Sequence, residues 1–155
     1  FHIPVISLVD EPGFLIGPDA EKEATILHGT EAVLTVTESQ VPWSTVMIRK
    51  SFGVAAAAHY GPDGYVLAWP SAESGPLPLE GGVAVAFKKE IADAPDPEAK
   101  RKEIEQRLAK NQDPFPRAEN FSVHEIIDPR ETREYLSNWI ERVQPQLNAK
   151  LISKR

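Results

Sequence analysis

Two hydrophobic rhythms divide this chain. Residues 3–9, 43–49 and 65–69 are short runs rich in apolar residues, whereas the longer segments between them return an apolar residue every three or four positions. Runs of the first kind predict strands, and the one over 3–9 reads as buried on both faces, as in a parallel sheet covered by helices. The second rhythm predicts amphipathic helices. Pro4 suits the beginning of the first strand, where a missing donor is tolerated. Residues 10–18 then form an ordered loop at its carboxyl end, the region where open α/β sheets bind ligands. Asp10 and Glu11 are adjacent, so in extended chain they point opposite ways and make no acid/base pair.

Residues 19–39 predict one helix, with Ile26, Leu27, Thr30, Val33, Leu34 and Thr37 on one face and Asp19, Glu21 and Glu23 complementing its dipole. His28 reads as a satisfied, partly buried histidine. Gly29 costs a helix about 1 kcal/mol relative to alanine, and close packing against another backbone would account for it. After the strand over 43–49, Phe52 and Gly53 form a tight turn into an apolar helix beginning at Val54 and Ala55. A strand feeding a helix in this way leaves N–H groups unpaired at the helix start. Such donors suit an anion or a developing oxyanion. Pattern alone favours the plainer alternative, a small-residue helix packed on a sheet.

The strand over 65–69 is closed by Pro70, and 71–75 reads as a short extension. Residues 79–91 predict a helix with Val83, Ala84, Phe87 and Ile91 on one side. Asp96-Pro97 starts another that runs to about Lys110, rich in charge and mostly a solvated face. A loop over 111–116 and a strand over 122–127 lead to Asp128-Pro129-Arg130-Glu131, where Asp128 caps and Glu131 can reach back as in a capping box. Tyr135, Leu136, Trp139, Ile140 and Val143 form the apolar face of that last helix. Pro145 ends or kinks it, and 148–155 is expected to fray. Strands alternating with helices predict an α/β domain, and no internal repeat or second core is visible.

Composition narrows the function. The 155 residues suit one domain, and 41% hydrophobic with 26% charged residues is ordinary for a globular chain. A net charge of −6 provides no basic excess for phosphates, so nucleic acid is not an expected partner. Without cysteine there is no disulfide, thiolate chemistry or cysteine metal site. No apolar run reaches the ~20 residues of a membrane span, and no signal peptide is evident. A cytoplasmic location is expected, with the mitochondrial matrix as the other option. The start at Phe1, without methionine, reads as an internal cut in a longer protein. His2, His28, His59 and His124 are widely spaced without a metal-ligand pattern. No pattern points to a serine beside a histidine. Walker and Rossmann phosphate loops, a nucleophile elbow and HExxH are absent.

Several separated stretches resemble one family, the carboxyltransferase domain of biotin-dependent acyl-CoA carboxylases. The chain is similar to the C-terminal portion of that domain in the β subunits of propionyl-CoA and acetyl-CoA carboxylases. Residues 10–17 resemble the family's D-x-P-G-F-x-x-G, His28-Gly29 its H-G, and 49–55 its R-K-x-[YF]-G-G-A. Residues 68–73 resemble A-W-P-[ST]-A-E, Glu80-Gly81-Gly82-Val83 a similar x-G-A-V, and 126–133 V-I-D-P-R-E-T-R. The resemblance implies a crotonase-like α/β lobe, incomplete at its N-terminal side, with residues 1–155 as the C-terminal part of the C-lobe. It implies transfer of a carboxyl group from carboxybiotin, carried by a partner protein, to the α-carbon of an acyl-CoA. The implied partners are the N-terminal carboxyltransferase lobe, a biotin carboxyl carrier, biotin carboxylase, and further copies in a homo-oligomer. The implied biotin-side oxyanion hole is the backbone N–H groups of Val54 and Ala55, with Gly13, Phe14, Phe52, Gly53 and Ala57 around the cleft. Val54 stands where the family has its second glycine, and Ala56-Ala57 where it often has Tyr-Asp, a position that helps shape acyl-chain choice. These departures keep two alternatives open: a non-catalytic scaffold or regulatory relative, and a biotin-dependent acyl-CoA decarboxylase.

Overall fold

A computed structural model describes residues 2–79 and 81–153. Five strands, β1 (Val5–Glu11), β2 (Trp43–Phe52), β3 (Tyr65–Ala68), β4 (Glu73–Gly75) and β5 (Glu125–Ile126), make one sheet in the order β1-β2-β3-β5. Every pairing is parallel, and β4 continues alongside the far end of β2, where Lys50, Ser51 and Phe52 face Glu73, Ser74 and Gly75. The connections carry helices α1 (Pro18–Lys22), α2 (Thr25–Thr37), α3 (Gly53–Ala57), α4 (Gly82–Ala86), α5 (Lys88–Ala92), α6 (Pro97–Ala109) and α7 (Pro114–Glu119), and α8 (Thr132–Ser153) closes the chain.

The core lies on both faces of the central strands. Met47, Val66 and Ala68 point to one side, where Ala72, Val123 and the ring of Tyr60 cover them. Val46 and Leu67 point to the other, against Ile127 and the α8 side chains Tyr135 and Leu136. Two-faced burial therefore holds for β2 and β3, as the parallel pairing requires. It does not hold for β1. That strand is the outermost of the sheet among the described residues; Val9 is buried, but Ile6 and Leu8 on the opposite face are exposed.

Several predicted elements differ in detail, each for a local reason. The single helix expected over 19–39 is two, because Ala24 adopts a left-handed conformation (φ 53°) between α1 and α2. The apolar face of α2 is not buried: Ile26, Leu27 and Leu34 are exposed, and Gly29 is the buried position. The helix over 79–91 breaks at Phe87 into α4 and α5. The loop over 111–116 contains the start of α7, where the Asp113 carboxylate accepts from the Phe115 N–H and Pro114 takes the first turn. This is the same Asp-Pro signal that starts α6, and there the Asp96 carboxylate accepts from the Ala99 N–H. The strand over 122–127 shortens to β5. At Asp128 the expected capping box gives way to a pairing with Arg130. The carboxylate accepts from the Arg130 N–H at 2.9 Å and from its guanidinium at 2.6 Å, over a 3-10 turn at Pro129–Glu131. Pro145 does not end α8, which runs on to Ser153. Of the tail expected to fray over 148–155, the backbone stays helical through Ser153, and 154–155 lie outside the described residues.

Candidate active site

The family-like motifs, scattered along the sequence, meet in pairs. At the carboxyl end of β1 the Asp10 carboxylate accepts from the Arg49 guanidinium at 3.0 and 3.1 Å and from the Lys50 N–H at 3.2 Å. These bonds hold the Asp10 carboxyl below its ordinary pKa, the Arg49 hydrogen bond first and the Lys50 amide next. Glu11 instead accepts from the Gly13 N–H at 2.9 Å, which folds the loop back on itself. The two neighbouring carboxylates thus have separate duties, as their opposite directions predict. Phe14, next in that loop, lies on α2. A Cβ added to Gly29 would sit 2.2 Å from the Phe14 ring, so it is an aromatic side chain, not a backbone, that requires the glycine. His28 beside it is exposed rather than partly buried, with Nδ1 3.4 Å from Glu31.

The Ala-Trp-Pro-Ser-Ala-Glu stretch is fastened at both ends. The Trp69 indole donates to Thr132 Oγ1 at 2.9 Å, at the head of α8, and Ser71 Oγ donates to the Ile48 carbonyl at 3.0 Å. These contacts make a rigid frame around the carboxyl ends of β2 and β3.

Inside that frame is the turn into α3. Phe52 is extended and only 1% exposed, its ring filling the space beside Gly75. Gly53 follows with φ +65°, a left-handed conformation that L side chains rarely adopt, and its missing Cβ would lie 3.4 Å from the Pro76 carbonyl. The chain then enters α3 with no side chain capping it, so the first-turn N–H groups have no side-chain acceptor. Ala55 and Ala56 are buried against the sheet, while the Val54 side chain is 65% exposed. Ala57 is half-buried at the helix end. A cleft of about 520 Å³ borders this turn through Phe52 and is lined also by Lys50, Glu73, Leu79 and Gln112, but not by Val54 or Ala55. Val54 thus sits at an exposed edge, with Ala55 buried beside it. Gly13 and Phe14 belong to the neighbouring loop, and no hydrogen bond among the described residues ties them to α3.

Residues that sequence reasoning left unassigned lie behind α3. Ser7 Oγ and His59 Nδ1 share a hydrogen bond of 2.9 Å across a separation of 52 residues. Ser51 Oγ and the Tyr60 hydroxyl share one of 2.7 Å, and Thr45 Oγ1 donates to the His59 carbonyl at 2.7 Å. Burial pushes the Tyr60 phenol above its ordinary pKa, so the hydroxyl keeps its proton. His124 is structural: its Nδ1 accepts from the Val66 N–H at 3.0 Å and its ring tilts against Tyr65. No group of histidines and carboxylates among the described residues could hold a metal ion. Nor is any helix among them long and apolar enough to cross a membrane.

Comparison with known proteins gives the family. The family model for the carboxyl transferase domain matches residues 1–154. The chain is 39% identical over 145 residues to the methylmalonyl-CoA carboxyltransferase 12S subunit of Propionibacterium freudenreichii subsp. shermanii, covering 91% of this chain and 28% of that protein. It is 38% identical over 141 residues to the carboxyltransferase subunit of propionyl-CoA carboxylase from Haloferax mediterranei, covering 88% of this chain and 27% of that one. Among solved structures it resembles transcarboxylase 12S, a hexamer assembly with methylmalonyl-coenzyme A and methylmalonic acid bound. That likeness has a TM-score of 0.78 at 37% identity, over 92% of this chain and 28% of that one. The chain thus spans a little over a quarter of the relatives it matches, and its parallel sheet is part of a crotonase-like lobe. The chain belongs to the carboxyl transferase domain family.

Proposed function

We propose that this chain is the biotin-facing part of an acyl-CoA carboxyltransferase, in which a carboxyl group passes from carboxybiotin to the α-carbon of an acyl-CoA. The observation that carries this reading is the uncapped first turn of α3, behind a left-handed Gly53, in a chain matched by the carboxyl transferase family over residues 1–154. The donor set fits a ureido oxygen: adjacent backbone N–H groups, free of side-chain acceptors and fixed by the sheet behind them. When bound, carboxybiotin supplies the carboxyl group and leaves negative charge on that oxygen as the carboxyl departs. The Val54 and Ala55 N–H groups would stabilise the charge without reorganising, because the protein has already paid the orientation cost in folding.

Val54 need not obstruct this role. Changing glycine to valine keeps the N–H, and the isopropyl group points largely into the open. The missing wall of the site is assigned to the N-terminal carboxyltransferase lobe, which would hold the acyl-CoA. A biotin carboxyl carrier, biotin carboxylase and further copies of the subunit complete the proposed assembly.

The test is carboxyl transfer by the full-length subunit, followed from a carboxybiotinylated carrier to propionyl-CoA or acetyl-CoA. The natural protein should turn over, and Val54→Gly should change its kcat by less than about tenfold, the equivalent of ~1.4 kcal/mol. Activity that appears only in Val54→Gly would instead identify the natural protein as a non-catalytic relative.

A further inference from the structure

We propose that His59 and Tyr60 are positioning residues, which lock α3 to two strands and so set the direction of the Val54 and Ala55 N–H groups. The proposal rests on the amide-pair reading above. It starts from the shortness of α3, five residues. Isolated helices shorter than ~12 residues are marginal in water, and α3 has no side-chain cap. Its orientation must come from contacts with the rest of the fold.

On the entry side the chain is held by the buried Phe52 and the left-handed Gly53. On the exit side three consecutive residues are each fastened to a different place. His59 reaches β1 through Ser7, and its carbonyl receives the Thr45 hydroxyl of β2. Tyr60 reaches the far end of β2 through Ser51. Gly61 lies flat on Trp43, whose Cγ would be 2.0 Å from an added Cβ. Trp43 is itself held by donation of its indole N–H to Ser39 Oγ at 2.9 Å. Ser7 and Thr45 are direct register partners across β1 and β2, so both hydroxyls rise from the same face of the sheet toward the same residue.

Apolar contacts alone would keep α3 on the sheet but let it slide, since burial is non-directional. Hydrogen bonds have strict distance and angle requirements. Bonds at Ser7, Thr45 and Ser51 spread over two strands therefore fix rotation as well as height. A different role for the Ser7–His59 pair, nucleophile and base, is not supported by its surroundings. Neither residue lines the cleft beside Phe52, and no carboxylate among the described residues bonds to His59 to orient it.

The test uses the full-length subunit with Ser7→Ala and, separately, Tyr60→Phe, each of which deletes one hydroxyl and little volume. Two readouts are needed: hydrogen exchange of the Ala58 and His59 amides, which donate to the Ala55 and Ala56 carbonyls of α3, and the split between kcat and acyl-CoA KM. A displacement of ~1 Å at a catalytic group can cost ~10²-fold in rate. The expected result is faster exchange at both amides, kcat lowered at least about tenfold, an unchanged acyl-CoA KM, and recovery in Ser7→Thr, which restores the hydroxyl. Unchanged exchange at Ala58 and His59 with unchanged kcat in both variants would overturn the positioning role and leave the amide-pair reading standing. Faster exchange with kcat intact would overturn the amide-pair reading, and this proposal with it.

Discussion

At the scale of single residues, Asp10 is the hinge between the first loop and the site. Its carboxylate joins Arg49 and the Lys50 amide, the two residues at the head of the Arg-Lys-Ser-Phe-Gly stretch that enters α3. Because these bonds depress its folded pKa, the stabilisation is fully present above the unfolded value of about 3.9 and is lost as pH falls through the lower folded value. The Arg49 side chain is exposed, which limits the effect through solvent screening. The difference in urea midpoint between the natural protein and Asp10→Asn should therefore be small, positive and constant near neutral pH, and should shrink in acid below about pH 3.9. A difference that grows in acid would contradict the assignment. That Asp10 and Glu11 would not act as a pair was legible from their adjacency. The partner of Asp10 was not, because Arg49 lies 39 positions away on another strand.

At the scale of elements, helix starts were the most legible features and burial the least. Asp96-Pro97 and Asp128-Pro129 announce their helices through local chemistry, a side-chain acceptor followed by a residue that needs no donor. Asp113-Pro114 carries the same information and was obscured by Phe115-Pro116, which resembles a loop. Burial depends on what packs from elsewhere. The run over 3–9 has the composition of a strand covered on both sides, yet Leu8 is 57% exposed because no described element covers that face of β1. Gly29 lies between these extremes: its presence inside a helix signals a close approach, without saying to what. The Phe14 ring is the answer, and it yields a prediction. Gly29→Ala gains about 1 kcal/mol of helix propensity but overpacks the ring, which typically costs ~1–3 kcal/mol. The variant should be destabilised by roughly 1 kcal/mol, and Phe14→Ala in the same chain should remove the penalty, a coupling that denaturant unfolding of the four-member cycle measures. Additive effects would mean the ring and the helix are independent.

At the scale of the whole molecule, the organising feature is a frame of paired motifs around one turn. Asp10 with Arg49, Phe14 with Gly29, Trp69 with Thr132 and Ser71 with Ile48 draw the loops at the carboxyl ends of the strands into one rigid rim. The collinear motifs make the family and the α/β class legible in the sequence. The hydrogen bonds behind α3 are not legible in the sequence, since Ser7, Thr45 and Ser51 meet His59 and Tyr60 only after the strands have paired. What the described residues leave open is as informative as what they build: the exposed edge of β1, the bare face of α2 and the exposed Val54 side chain. The proposed two-lobe assembly gives each of them a use; the match itself spans about 28% of the 12S subunit.

The central claim is that backbone N–H groups at the start of α3 stabilise charge during carboxyl transfer. The most direct test replaces the Val54 amide by an ester in the full-length subunit, which deletes the N–H and keeps the isopropyl side chain, and measures kcat with a carboxybiotinylated carrier. A loss of ~10²–10³ in kcat, the usual effect of removing one oxyanion donor, is predicted; a kcat equal to that of the natural amide would contradict the account.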